Sequence, residues 1–171
     1  MKKYELLVDD TITFFGVQLF RIKALISFSG IEKGEVGGYI ASEKNLSQYG
    51  DAWVYGNARV YGNAEVYGDA EVYDNARVYG NAEVSDNAEV YGDARVSDNA
   101  DYIVFKNTWS SGRYFTYTKS NRKWRVGCFY GSGAELVEKA YKDSKKSGDF
   151  YKAYVDFVEK LEAIEDIHKE Q

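Results

Sequence analysis

Residues 51–98 read Asp51-Ala-Trp-Val-Tyr-Gly, Asn57-Ala-Arg-Val-Tyr-Gly, Asn63-Ala-Glu-Val-Tyr-Gly, Asp69-Ala-Glu-Val-Tyr-Asp, Asn75-Ala-Arg-Val-Tyr-Gly, Asn81-Ala-Glu-Val-Ser-Asp, Asn87-Ala-Glu-Val-Tyr-Gly and Asp93-Ala-Arg-Val-Ser-Asp. These are eight unbroken hexads. The Ala and Val of each hexad are two residues apart, so on a strand they share one face, and the residue between them and the Tyr or Ser point the other way. Gly at the sixth position accepts positive φ freely, and Asp or Asn tolerates it best among the rest, so each hexad ends in a corner. One short strand and one corner every six residues predict a solenoid with a narrow Ala/Val interior.

A period of 18 lies on top of the hexads. Arg59, Arg77 and Arg95 are 18 apart, and so are Glu65, Glu83 and Asp101. Each coil therefore has three sides, and coils stack at the parallel-strand spacing of ~4.8 Å. The outward rows follow. The first side stacks Trp53, Glu71 and Glu89 with Tyr55, Tyr73 and Tyr91. The second stacks Arg59, Arg77 and Arg95 with Tyr61, Tyr79 and Ser97. The third stacks Glu65, Glu83 and Asp101 with Tyr67, Ser85 and an Asn63–Asn81–Asn99 corner. These third-position residues are the expected partner or oligomer surface. So short a stack needs caps on its exposed strand edges.

The flanks supply them. Tyr4-Glu-Leu-Leu and Ile12–Ile22 around Gly16 read as a β-hairpin. After Ala100, Tyr102-Ile-Val-Phe reads as a strand. Tyr114-Phe-Thr-Tyr-Thr and Lys123–Phe129 flank a turn and read as a second hairpin. Ser132-Gly-Ala-Glu135 is a capping-box signature for a helix reaching about Lys145. Ser147-Gly-Asp149 is expected to break that helix and start another, burying a stripe of Phe150, Tyr154, Phe157, Val158, Leu161 and Ile164. The expected organisation is a β cap over 1–44, about three coils over 45–101 and a ββ(β)αα domain over 102–171, hence a mainly β fold with a small C-terminal α+β domain.

With 171 residues, one Cys and one His, the chain cannot build an internal disulfide or a structural zinc site from those residues. Cys128 is expected to be a buried small hydrophobe. The first ten residues, Met1–Asp10, meet acids before any long apolar run, and no stretch approaches the ~20 apolar residues of a bilayer span. A cytoplasmic protein without membrane contact is expected. Charge is segregated: residues 45–101 carry −8 and residues 102–131 carry +6, the kind of asymmetry that marks binding surfaces.

The hexads, together with Lys33-Gly-Glu-Val-Gly-Gly-Tyr-Ile-Ala-Ser-Glu-Lys-Asn-Leu-Ser47, resemble a group of bacterial, phage and prophage hexapeptide-repeat proteins that are often labelled transferases. The tail around Gly127-Cys-Phe and the helices after it resembles the end domain of the phage members. The resemblance implies a left-handed β-helix, an exception to the right-handed crossover rule, and implies no settled activity. If the chain is phage-encoded, its compartment is the host cytoplasm.

Acyltransferases of this architecture use a His on a coil as general base. Residues 45–101 contain none, and His168 sits near the end of the last helix. Without a group that titrates near neutrality, proton abstraction lacks its usual agent. No catalytic residue, cofactor or metal is expected; Asp51 and Asp69, stacked on a corner, read as solvated. The expected function is therefore non-enzymatic: an acidic rod presented to a protein partner, such as a host nuclease or other defence factor. The acidic row could also dock on the Arg row of a second copy, closing a homotrimer. Two alternatives stand beside it. One is a ligand site between the last coil and the basic hairpin, around Arg95, Arg113 and Cys128. The other is nucleic-acid contact through Arg113, Lys119, Arg122, Lys123, Trp124 and Arg125, where interleaved aromatics would stack on bases.

Overall fold

The computed structural model describes residues 1–170. The N-terminal hairpin pairs β1 (Tyr4–Phe14) with β2 (Val17–Ala24). Its two-residue turn places Phe15 (φ 47) and Gly16 (φ 78) in the left-handed region, the geometry that matches the twist of paired antiparallel strands. Strand β3 (Val36–Ile40) pairs antiparallel with β2 and parallel with the solenoid, and so joins the two.

Eight two-residue strands follow: β4 (Trp53–Val54), β5 (Arg59–Val60), β6 (Glu65–Val66), β7 (Glu71–Val72), β8 (Arg77–Val78), β9 (Glu83–Val84), β10 (Glu89–Val90) and β11 (Arg95–Val96). They form a parallel β-solenoid of about three turns with three sides: β4-β7-β10, β3-β5-β8-β11 and β6-β9. Register is that of the 18-residue period, with Trp53 beside Glu71, Arg59 beside Arg77 and Glu65 beside Glu83. Every hexad Ala and Val is fully buried. The interior is thus a stack of small side chains, and the corners are Gly56, Gly62, Gly68, Asp74, Gly80, Asp86 and Gly92, all at positive φ.

The eighth corner fails. Asp98 stays extended at φ −146 and instead caps a short 3-10 turn, Asn99–Asp101, accepting a bond from the Ala100 N–H. Asp101 is therefore not the third member of the Glu65–Glu83 row. Its carboxylate accepts bonds from the Ser97 N–H and hydroxyl.

The coils have a polarity that their caps match. Each coil donates its N–H groups to carbonyls of the next, as Trp53 N–H does to Ala70 O and Arg77 N–H to Ala94 O. Free carbonyls are left at the start of the stack and free N–H groups at its end. At the start, Lys3 Nζ donates to Gly50 O and Ala52 O, the Asn45 amide donates to Gly62 O and Ala64 O, and Arg21 donates to Gly56 O. At the end, the Glu83 N–H donates to the Asn99 amide oxygen, Glu89 N–H to Thr116 Oγ1 and Arg95 N–H to Ser120 Oγ.

The C-terminal domain is an antiparallel sheet, β12 (Tyr102–Lys106), β13 (Tyr114–Thr118), β14 (Lys123–Val126) and β15 (Phe129–Gly131), carrying helices α1 (Gly133–Asp143) and α2 (Lys145–Lys169). Ser132 and Glu135 form the expected capping box. The break between helices falls at Ser144, which closes α1 and caps α2, rather than at Ser147–Asp149. Gly148 lies inside the first turn of α2, where a Cβ would run into the Tyr141 ring; it allows close helix approach rather than a break. The domain core is Phe115, Tyr117, Trp124, Val126, Leu136, Ala140, Tyr151, Val155 and Val158. Of the expected α2 stripe, Val158 is buried but Phe157, Leu161 and Ile164 are exposed. The helix turns Tyr151 and Val155 to the sheet instead. Cys128 is also exposed, because it shares the tight β14–β15 turn with Gly127 (φ 55).

Candidate interaction surface

The three sides of the prism differ in what covers them. On the first side, Trp53 is completely buried rather than displayed. The Tyr4 and Phe28 rings pack edge-on against it, at 6.2 and 5.4 Å between centroids. Below it Tyr55 and Tyr73 stack at 4.2 Å. Both hydroxyls donate to the Glu71 carboxylate, at 2.9 and 2.5 Å. Burial, reinforced by that carboxylate, pushes both phenols well above the usual tyrosine range. Glu89 is held by Arg125 at 2.8 Å, and the Arg125 guanidinium lies 4.4 Å over the Tyr91 ring. The carboxylates of this side are engaged within the chain.

On the second side the Arg row forms as expected, but the N-terminal hairpin folds onto it. Phe14 lies 4.4 Å from the Arg59 guanidinium and 5.0 Å from that of Arg77, and packs edge-on against Tyr61. Arg95, beyond the reach of the hairpin, is exposed. Cation–π contact with the shared ring offsets part of the repulsion within the row.

The third side is uncovered. Glu65 and Glu83 are exposed, with Asp69 and Asp86 exposed at the adjoining corner. Glu83 accepts one bond, from the Tyr67 hydroxyl at 3.1 Å, and Asn63 donates to Asn81 along the neighbouring corner.

The basic hairpin is largely internal. Trp124, Phe115 and Tyr117 are core side chains, so Trp124 is not available to stack on a base. Arg125 is paired with Glu89, and Lys119 with Glu165 at 2.8 Å. Arg113 and Arg122 are exposed, and Lys123 is half-buried. Nor do Arg95, Arg113 and Cys128 converge. The Arg95 N–H reaches Ser120 at the β13–β14 turn, whereas Arg113 packs beside Gly127 at the opposite end of those strands, about 15 Å away along a five-residue strand. Asp51 and Asp69 share one hollow with Glu71 and Glu89. Among the described residues no group of three or more His, Cys, Asp or Glu side chains is placed to hold a metal ion, and no helix is long and apolar enough to cross a membrane.

The stacked hexads, matched caps and uncovered acidic side define a β-solenoid repeat protein. Residues 52–68 and 70–86, one coil each, match a family model described as the YdcK beta solenoid repeat. No curated protein matches the chain.

Proposed function

We propose that this chain is a non-enzymatic interaction protein whose third side docks a basic surface of a protein partner. The observation that carries this reading is the contrast between sides: Glu65 and Glu83 are exposed in a stacked row, while Trp53, Glu71 and Glu89 on the first side and Arg59 and Arg77 on the second are covered or paired within the chain. The coils hold the two carboxylates side by side on a fixed backbone, so they favour association with a complementary cationic face. A non-enzymatic role is supported by the absence of His from residues 45–101. The resemblance to phage and prophage hexapeptide-repeat proteins makes a host nuclease or other defence factor the class of partner in this reading, with the acidic row imitating a nucleic-acid backbone. Phe14 covers Arg59 and Arg77, the face a homotrimer would use, and so places that assembly behind the acidic-side reading.

Affinity purification from host cells tests it, comparing wild type with Glu65→Lys/Glu83→Lys. A basic protein is expected with the wild type and lost with the double variant, whose melting temperature should match the wild type because both side chains are exposed. Identical eluates from the two proteins would refute the reading.

A further inference from the structure

We infer that the outward face of α2 is the interface of a homodimer in which two α2 helices pack antiparallel. Phe150, Tyr154, Phe157, Leu161 and Ile164 follow one another at alternating steps of four and three residues, the spacing of a helix-pairing seam. Inside the chain the helix buries Gly148, Tyr151, Val155 and Val158, and farther along it meets the sheet through polar contacts alone, with Glu162 accepting from the Tyr117 hydroxyl and Glu165 paired with Lys119. The seam is left open, with Phe157 50%, Leu161 41%, Ile164 54% and Ile167 57% exposed, and Trp109 beside it 68% exposed.

Area favours a specific interface over scattered surface residues. These five side chains expose on the order of 600 Å² per copy, the upper end of what a typical monomer shows. With the half-buried Phe150, Tyr154 and Ile103 beside them, they approach the ~800 Å² per partner of a stable complex.

Shape points to a second copy as the occupant. The head of the seam is a hollow of about 450 Å³ lined by Ile103, Phe105, Trp109, Phe150, Tyr154 and Phe157. Its tail is the reverse, with Ile164 and Ile167 projecting. A two-fold axis near residue 159 sets Phe157 against Leu161 of the second copy and brings each tail to the other's hollow. A self-complementary patch of this kind is what a two-fold interface requires.

Sedimentation equilibrium of the full chain reads the result. Wild type should be a dimer at micromolar concentration. Ile164→Glu should weaken it by about 100-fold or more, because it would bury an unpaired carboxylate against the apolar hollow of the second copy, with an unchanged melting curve for the monomer because the side chain is exposed there. Wild type that is monomeric at about 100 µM would overturn the inference. So would an oligomer that survives Ile164→Glu, or one that Arg77→Glu dissolves while Ile164→Glu does not; the last would assign assembly to the solenoid rows. Loss of the dimer leaves partner binding through Glu65 and Glu83 intact, so this inference and the proposed function fail separately.

Discussion

At the scale of single residues, the corner positions show how one conformational demand has unequal consequences. Gly56 (φ +55) and Gly80 (φ +64) occupy equivalent corners. A Cβ on Gly56 would find its nearest neighbour, Asp74 O, at 3.9 Å, whereas on Gly80 it would meet Ser97 O at 2.5 Å. Asn tolerates this φ best after Gly, with Asp. Gly56→Asn should therefore cost under about 1 kcal/mol and Gly80→Asn at least about 2 kcal/mol more in denaturant titrations, since the backbone there must shift to admit the atom. Lys3 supplies a second residue-scale test. Its ammonium is buried between Gly50 O, Ala52 O and the Phe28 ring, and burial, opposed by Asp51, lowers its pKa to about 8. The unfolded chain, with an ordinary lysine, then holds more protons than the folded one between about pH 8 and 10.5. Stability from this group must rise through that window. Relative to Lys3→Met, the wild type should gain stability from pH 8 to pH 10; parallel curves would mean that Lys3 titrates as an ordinary lysine.

At the scale of elements, the caps matter more than the coils they close. Thr116 presents an acceptor where the last coil has only a donor to offer. Thr116→Val keeps the shape, removes the acceptor and strands the Glu89 N–H. A loss of about 1–3 kcal/mol is expected, the cost of a buried polar group without a partner, read as a shift of the chemical denaturation midpoint. Little of this capping is visible in the sequence, because Lys3, Asn45, Thr116 and Ser120 belong to no repeat. The hexad interior was legible: the spacing of Ala and Val placed both residues of every hexad inside, and the period of 18 placed the stacked pairs from Trp53–Glu71 to Arg77–Arg95. Periodicity assigns a side chain to the inside or outside of the prism, but not to solvent. Trp53 points outward and is buried by the Tyr4 and Phe28 rings. Asp101 keeps the arithmetic of the third row after Asp98 has ended the solenoid. On α2 the seam was legible as a stripe, yet nothing in its spacing says whether it meets its own sheet or another helix. The uncovered acidic side was legible as a row of Glu; its contrast with the other two rows depends on where the N-terminal hairpin and Arg125 come to rest.

At the scale of the whole molecule, the acidic solenoid and the basic segment after it solve each other's electrostatic problem. Residues 45–101 carry −8 and residues 102–131 carry +6, and the two meet where Arg125 bonds Glu89 and covers Tyr91. Around that contact, Tyr130 extends the Tyr55–Tyr73–Tyr91 aromatic column onto the sheet and lies over the Gly92 corner. Asn121 joins Asp93 to the Tyr130 hydroxyl. The docking adds these polar and aromatic contacts to a small apolar one, Tyr102 and Val104 of β12 against the solenoid core, while the solenoid interior and the C-terminal core remain separate clusters. Two cores joined in this way unfold together only while the joint holds. Arg125→Ala removes a half-buried ion pair and a cation–π contact, and leaves Glu89 beside Glu71 without its counter-charge, so the loss should be about 2–4 kcal/mol, concentrated at the joint. Wild type should then melt in one transition by calorimetry. Arg125→Ala should melt in two, with the C-terminal domain opening first, because its removal exposes the Thr116- and Ser120-capped end of the coils without disturbing their Ala/Val interior. A single transition merely shifted downward would show that the end caps, and not the Arg125–Glu89 pair, couple the two cores.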